Sequence, residues 1–340
     1  MGKQMGRRWE VSTLLVASLT CLAFILTACR DSNDAGGLSG TVNIDGSSTV
    51  FPITQAVAEE FQRVHRAVRI SLGLSGTGGG FEKFCRGEID ISNASRPIKE
   101  EEAETCAANG IDFTELTVAA DGLSVIVNPD NDWVDCLTVE QLNQLWMPGS
   151  EIERWSDLDP SWPDEEIELY GPGTDSGTFD YFTEAINGES GASRADYTAS
   201  EDDNVLVQGV QGDENALAYL GYAYYIENQE QLRAVPIDGG AGCIEPTTET
   251  IQSNTYAPLS RPLYIYVSNA SLQPPDVQPV SGSDATGTPV VPTSVTAELI
   301  RYYLTEGTEV IPYIGYVPYD DAVYQEQRQL VQDAIDSGGR

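Results

Sequence analysis

The sequence predicts an α/β fold in two domains, and three observations carry that expectation. A chain of 340 residues suffices for two domains of ordinary size. Its 41% hydrophobic content can fill real cores, which excludes a disordered chain. Four times, an alternating apolar run ends in a turn of glycine, serine and threonine and then passes into apolar residues at helical spacing.

The N-terminus stands apart from this pattern. Lys3, Arg7 and Arg8 precede an apolar stretch, Val11 to Leu26, that is too short and too weakly flanked for a spanning helix. Leu26-Thr27-Ala28-Cys29 then resembles a bacterial lipobox, in which Cys29 is cleaved on its amino side and lipidated. Residues 1–28 are thus expected to be a lipoprotein signal peptide, and 29–40 a flexible polar tether.

The first unit is "TVNIDGSSTVFPITQAVAEEF". Val42 and Ile44 alternate as in a strand, Asp45 to Thr49 form the turn, and Ile53, Val57 and Phe61 mark a helix face with Pro52 in its first turn. In the second, Val68, Ile70 and Leu72 lead to a glycine-rich turn, Gly73 to Gly80, that holds Ser75 and Thr77. The third runs through "DISNASRPI" to Ser95 and Arg96, with Pro97 at a helix start and Gly110 at its stop. The fourth is "YGPGTDSGTFDYF", where Thr174 to Thr178 precede Phe179, Phe182 and Ile186. Any one of these starts is what ordinary helix capping gives. Together they place hydroxyls, glycines and an arginine at four helix starts, where free N–H groups and the helix dipole favour an anion. The glycine run is not a Walker A, since Gly-Lys-Ser/Thr is absent, and Phe81 breaks the dinucleotide-binding spacing.

In their order and spacing, "DGSSTVFP", "LSGTGGGFEKF", "DISNASRPI" and "GTDSGTFDYF" resemble the periplasmic phosphate-binding proteins of ABC phosphate transporters, the PstS type. "NALAYLGYAYYIEN" adds to the likeness, which covers about residues 40–268. The resemblance implies a type II periplasmic-binding-protein fold, two α/β lobes joined by two crossover strands. Lobe I is expected at 40–120 plus 265–338 and lobe II at 121–264, with crossovers in "VAADGLSVIVN" and "SRPLYIYVS". It implies a ligand held between the lobes by Ser48, Thr49, the N–H of Val50, Ser75, Ser176, Gly177 and Thr178. Two positions depart from the family pattern. Arg96 stands where many members carry an aspartate that accepts the ligand's proton, and Pro172 stands where many carry an arginine. Arg96 can supply the missing guanidinium from the other lobe, since its planar fork matches two phosphate oxygens. The proton acceptor is then sought in Asp175 or Asp45. The implied partners are inorganic phosphate and a transporter permease. The implied state is a monomer in the periplasm or at the cell surface, held to the membrane only through lipidated Cys29, with no cofactor and no enzymatic activity.

With Cys21 removed and Cys29 lipidated, Cys85, Cys106, Cys136 and Cys243 remain, an even number in an oxidising compartment. Three pairings are open; Cys85–Cys106 with Cys136–Cys243 is favoured because each bridge then stays within one expected lobe. No Cys-x-x-Cys exists and His65 is the only histidine, so no metal is expected.

The net charge is −35, and loss of residues 1–28 leaves 15 basic and 52 acidic residues, net −37. Such a surface excludes nucleic acid and anionic lipid faces as partners. Only Lys3, Lys83 and Lys99 are lysines; few lysines among many carboxylates suggest a high-salt habitat. A serine hydrolase is the enzyme alternative. It lacks support, because "GTDSGT" is not Gly-x-Ser-x-Gly and His65 is the sole imidazole base. Sulfate, molybdate or phosphonate on the same fold is the ligand alternative, and a surface lipoprotein with merely capped helices is the third. Residues 269–295, rich in Pro, Ser, Thr and Gly, read as a surface insertion.

Overall fold

A computed structural model describes residues 38–274 and 294–338. The expected signal peptide, Cys29, the expected tether up to residue 37 and most of the expected insertion (275–293) lie outside the described residues.

The chain alternates strands and helices as the sequence predicts. The first half holds β1 (Ser39–Gly46), α1 (Phe51–Val64), β2 (Ala67–Leu72), α2 (Gly76–Cys85), β3 (Ile91–Ala94), α3 (Glu100–Ala108) and the long β4 (Phe113–Val127). Then follow β5 (Leu137–Thr138), α4 (Val139–Trp146), α5 (Trp155–Leu158), β6 (Glu168–Pro172), α6 (Gly177–Asn187), β7 (Thr198–Ser200), α7 (Asp203–Gly212) and β8 (Ala216–Gly221). After these come α8 (Tyr222–Asn228), β9 (Arg233–Ala234), β10 (Ile237–Asp238), β11 (Cys243–Ile244) and α9 (Thr248–Gln252). The last elements are β12 (Ser260–Ser268), α10 (Asn269–Leu272), α11 (Val295–Tyr303) and α12 (Asp321–Asp336).

One sheet runs β2-β1-β3-β12-β4-β8-β6-β7, with β9 added beside β4. The strands β1, β2 and β3 are parallel on one side, and β6, β7 and β8 are parallel on the other. Between them β12 and β4 pair antiparallel over their whole shared length, Ser260 opposite Gly122 to Ser268 opposite Phe113. The fold is thus two α/β halves joined by two crossover strands. The C-terminal segment returns to the same place: Ala120 and Val317 exchange N–H···O bonds of 2.8 and 2.9 Å.

Helices cover both faces of the second half, so β8 is buried on both sides, as parallel sheets require. Leu217 and Tyr219 face a core with Trp146, Trp155 and Phe182, while Ala218 and Leu220 face Leu206, Val207 and Val210. In the first half, Phe81, Phe84 and Tyr266 pack around the Cys85–Cys106 disulfide. The second disulfide joins Cys136 to Cys243 beside the small sheet β11-β10-β5.

The segment read as an insertion begins with structure. Residues 269–272 form α10, where Leu272 is buried and the Asn269 Oδ1 accepts from the Thr114 hydroxyl at 2.7 Å. Ser294 caps α11, accepting from the N–H of Thr296 and Ala297. No helix among the described residues is long and apolar enough to cross a membrane.

Candidate functional site

A cavity of about 480 Å³ opens where helix starts of the first half meet helix α6 of the second and the crossover strand β12. The start of α1 supplies Ser47, Ser48 and Thr49. The strand before it ends at Gly46, whose φ of 135° and close approach to the Asn93 carbonyl leave no room for a Cβ. This sharp exit brings these three residues to the cavity. The N–H groups of Ser48 and Thr49 have no partner among the described residues, and that of Val50 reaches only the Ser47 hydroxyl at 3.4 Å. Free donors at the positive end of a fourteen-residue helix are an arrangement that favours an anion.

The start of α2 supplies Thr77 and Gly78. The Thr77 hydroxyl lies 3.0 Å from that of Ser95 and accepts from the Ser95 N–H at 3.2 Å, which ties two helix starts together. Ser75, expected at the ligand, instead donates its hydroxyl and its N–H to Asp45 Oδ1 at 2.8 and 2.9 Å, and it is not among the lining residues. The glycine run has a packing reason: a Cβ on Gly80 would come within 2.6 Å of the Gly46 Cα.

Arg96, just past β3, lines the cavity. Its guanidinium grips both oxygens of Glu102 at 2.8 Å each, donates to the Pro97 carbonyl, and lies 5.5 Å from the Phe81 ring centre. The Glu102 hydrogen bond raises the Arg96 pKa above its ordinary value.

From the other half, α6 presents Asp180, Tyr181, Glu184 and Ala185, with Ser190 beyond its end. Ser190 donates to Asp180 at 2.9 Å. The expected residues at this helix start, Ser176, Gly177 and Thr178, sit a turn away and are not among the lining residues. Ser176 caps the helix, accepting from the Thr178 N–H at 3.2 Å.

Neither expected proton acceptor reaches the cavity lining. Asp45 is buried, its Oδ1 accepts from Gly46 N–H and twice from Ser75, and its Oδ2 pairs with Lys83. Its acceptor capacity is therefore spent on bracing the loop. Asp175 is exposed, and its N–H donates to Glu201. The carboxylates that do line the cavity are Asp180 and Glu184.

Sequence reasoning also missed Arg261. It comes from β12, lines the cavity, and is ion-paired with Asp121 of β4 directly opposite. Burial pushes the Asp121 carboxyl up, and the Arg261 charge opposes that shift only in part. The one signal available in the sequence was a charge inside an otherwise apolar crossover, "SRPLYIYV", facing another in "VAADGLSV".

A family model described as a PBP superfamily domain matches residues 32–287. Protein SphX of Synechocystis sp. is 41% identical over 311 residues, 91% of this chain and 86% of that protein. Phosphate-binding protein PstS of Staphylococcus saprophyticus is 43% identical over 272 residues, 78% of this chain and 82% of that protein. Among solved structures, a possible phosphate binding protein from Planctomyces limnophilus superposes with a TM-score of 0.79 at 46% identity, covering 88% of this chain and 99% of that one. An ABC-type phosphate transport receptor from Vibrio cholerae superposes with a TM-score of 0.61 at 22% identity and bears on the fold alone.

Proposed function

The chain belongs to the PBP superfamily, among the PstS-type phosphate-binding proteins, and we propose that it captures inorganic phosphate outside the cytoplasm for an ABC transporter permease. It is a substrate-binding subunit and not an enzyme. The observation that carries the ligand is that Ser48 and Thr49, whose N–H groups have no partner among the described residues, line the same cavity as Arg96.

Lobe I is residues 40–120 plus 265–338 and lobe II 121–264, with β4 and β12 as the hinge. Ser48, Thr49, the Val50 N–H and Arg96 receive the anion on lobe I, with Ser75 behind them. Closure then brings the α6 start, Ser176, Gly177 and Thr178, onto its far side. Asp175 before α6, or Asp180 or Glu184 on it, accepts the proton that phosphate carries and sulfate lacks. Six hydrogen bonds to a charged ligand at about 1.5–3 kcal/mol each exceed the roughly 8 kcal/mol of a micromolar site, and ordering consumes the surplus. The mature protein is a monomer tethered through lipidated Cys29.

Calorimetric titration with phosphate, sulfate and molybdate tests this reading. Phosphate is expected to bind in the micromolar range or tighter, with sulfate at least about a hundredfold weaker. Tighter sulfate or molybdate binding would replace the ligand, and no phosphate binding at all would overturn the assignment.

A further inference from the structure

We infer that Arg261 is a second guanidinium of the oxyanion site and the contact through which the ligand draws the two lobes together. The inference rests on the phosphate-binding reading above.

The guanidinium is fixed from three sides. Its Nε and Nη2 both donate to Asp121 Oδ2, at 3.1 and 3.0 Å, from the facing crossover strand. Nη2 also donates to the Thr49 hydroxyl at 3.1 Å, on the lobe I helix start. Its carbon lies 3.5 Å from the centre of the Tyr181 ring, on the lobe II helix α6. A planar cation stacked on an aromatic face is held in orientation as well as in place. All of these contacts engage Nε, Nη2 and the flat face. Nη1, with two N–H donors, has no partner among the described residues. Yet the side chain is only 15% exposed and lines the cavity. A nearly buried cation with one donor edge left over is suited to an anionic oxygen arriving from the cavity.

Position gives this residue its second role. Arg261 is the one lining side chain that comes from a crossover strand, and it touches both lobes at once. Tyr181 cannot leave the stack freely, because its hydroxyl donates at 2.8 Å to the carbonyl of Pro258, three residues before Arg261. A ligand oxygen that engages Nη1 therefore loads Arg261, the Pro258–Arg261 segment and α6 together. Lobe I reads the anion directly, and lobe II first meets it through the arginine on which Tyr181 rests.

Three variants and one measurement on the native chain test this. R261K keeps the charge and replaces the planar three-nitrogen fork by a single nitrogen. D121N/R261Q removes both charges together, so that no carboxylate is stranded in the interior. Each is expected to unfold near the wild-type temperature and to bind inorganic phosphate about ten- to a hundredfold more weakly. Y181L is expected to keep part of the affinity and to lose the ligand-induced decrease in radius of gyration seen by small-angle scattering. In the wild type, the guanidinium nitrogen resonances of Arg261 are expected to shift and slow their rotation on phosphate addition. If the wild type binds phosphate while both Arg261 variants bind within about twofold of it, or the Arg261 resonances stay unmoved, the residue is only a structural rivet. Unchanged compaction in Y181L defeats the coupling. A wild type that ignores phosphate defeats the parent reading instead.

Discussion

Asp45 illustrates how far from a side chain in sequence its partners can lie. It sits in the turn before α1, and a turn aspartate beside a suspected anion site invites an acid–base role. What the sequence could not reveal is that Ser75 and Lys83, 30 and 38 residues away, close around it. Burial pushes the Asp45 pKa up, but the Lys83 and Ser75 hydrogen bonds and the two backbone N–H groups outweigh it, and the carboxyl ends below its ordinary value. A folded-state pKa below the unfolded one adds stability above the ordinary carboxylate pKa of about 4. That contribution fades as pH falls from there through the folded value. D45N removes the charge that Lys83 answers and is expected to cost about 1–3 kcal/mol at neutral pH, the half-exposed ammonium softening the loss. The gap between variant and wild type should narrow below about pH 4 in urea denaturation followed by circular dichroism; a gap that is constant with pH would contradict the pairing. Arg261 was illegible for the same reason. Its partners Asp121, Thr49 and Tyr181 are brought to it only by the crossover topology, and the one local signal is its own charge within an apolar strand.

At the scale of elements, legibility followed length and periodicity. The apolar spacing of α1 and α6 is plain in the sequence, and so is the β-rich run of β4, because each extends over several repeats of its own period. The strands β5, β10 and β11 are two residues each and exist only because the Cys136–Cys243 bridge and the neighbouring core hold them together, so no local pattern announces them. The start of α7 combines both kinds of information. Glu201, Asp202 and Asp203 are consecutive carboxylates at a helix N-terminus, an arrangement the helix dipole favours. Asp202 does cap the helix, accepting from the Asn204 N–H at 3.0 Å. Asp203, however, is pushed up to about 6 by burial first and by the charges of Asp202 and Glu201 second. A carboxyl raised in the folded state binds more protons folded than unfolded between about pH 4 and pH 6. Its contribution to stability is therefore full below about pH 4 and is lost as pH rises through 6. D203N should accordingly melt higher than the wild type at pH 7.5 and within error of it near pH 4, as read by scanning calorimetry at both values. A variant that melts lower at pH 7.5 would show that the dipole outweighs the burial.

At the scale of the whole molecule, charge balance is the governing fact. Residues 29–340 hold 52 acidic and 15 basic residues, so most carboxylates can have no basic partner however the chain folds. The bases that exist are used economically: Lys83 on Asp45, Arg96 on Glu102, Arg194 between Asp196 and two carbonyls, Arg261 on Asp121. The remaining acidic surface repels itself, and that repulsion opposes compaction. It also repels an incoming phosphate, which leaves the affinity to donors inside the cavity. Salt shortens the reach of both repulsions, from about 10 Å at 0.1 M to about 3 Å at 1 M. The folded state should therefore gain stability with added KCl, its urea midpoint rising and its transition sharpening from about 0.02 M to about 2 M salt. Sucrose at matched osmotic strength separates screening from solvent exclusion: it strengthens burial without touching charge, so it should reproduce only a minor part of the rise. Equal midpoints at low and high salt would show that the carboxylates are spaced widely enough for water alone to screen them, and the inferred high-salt habitat would lose its physical basis.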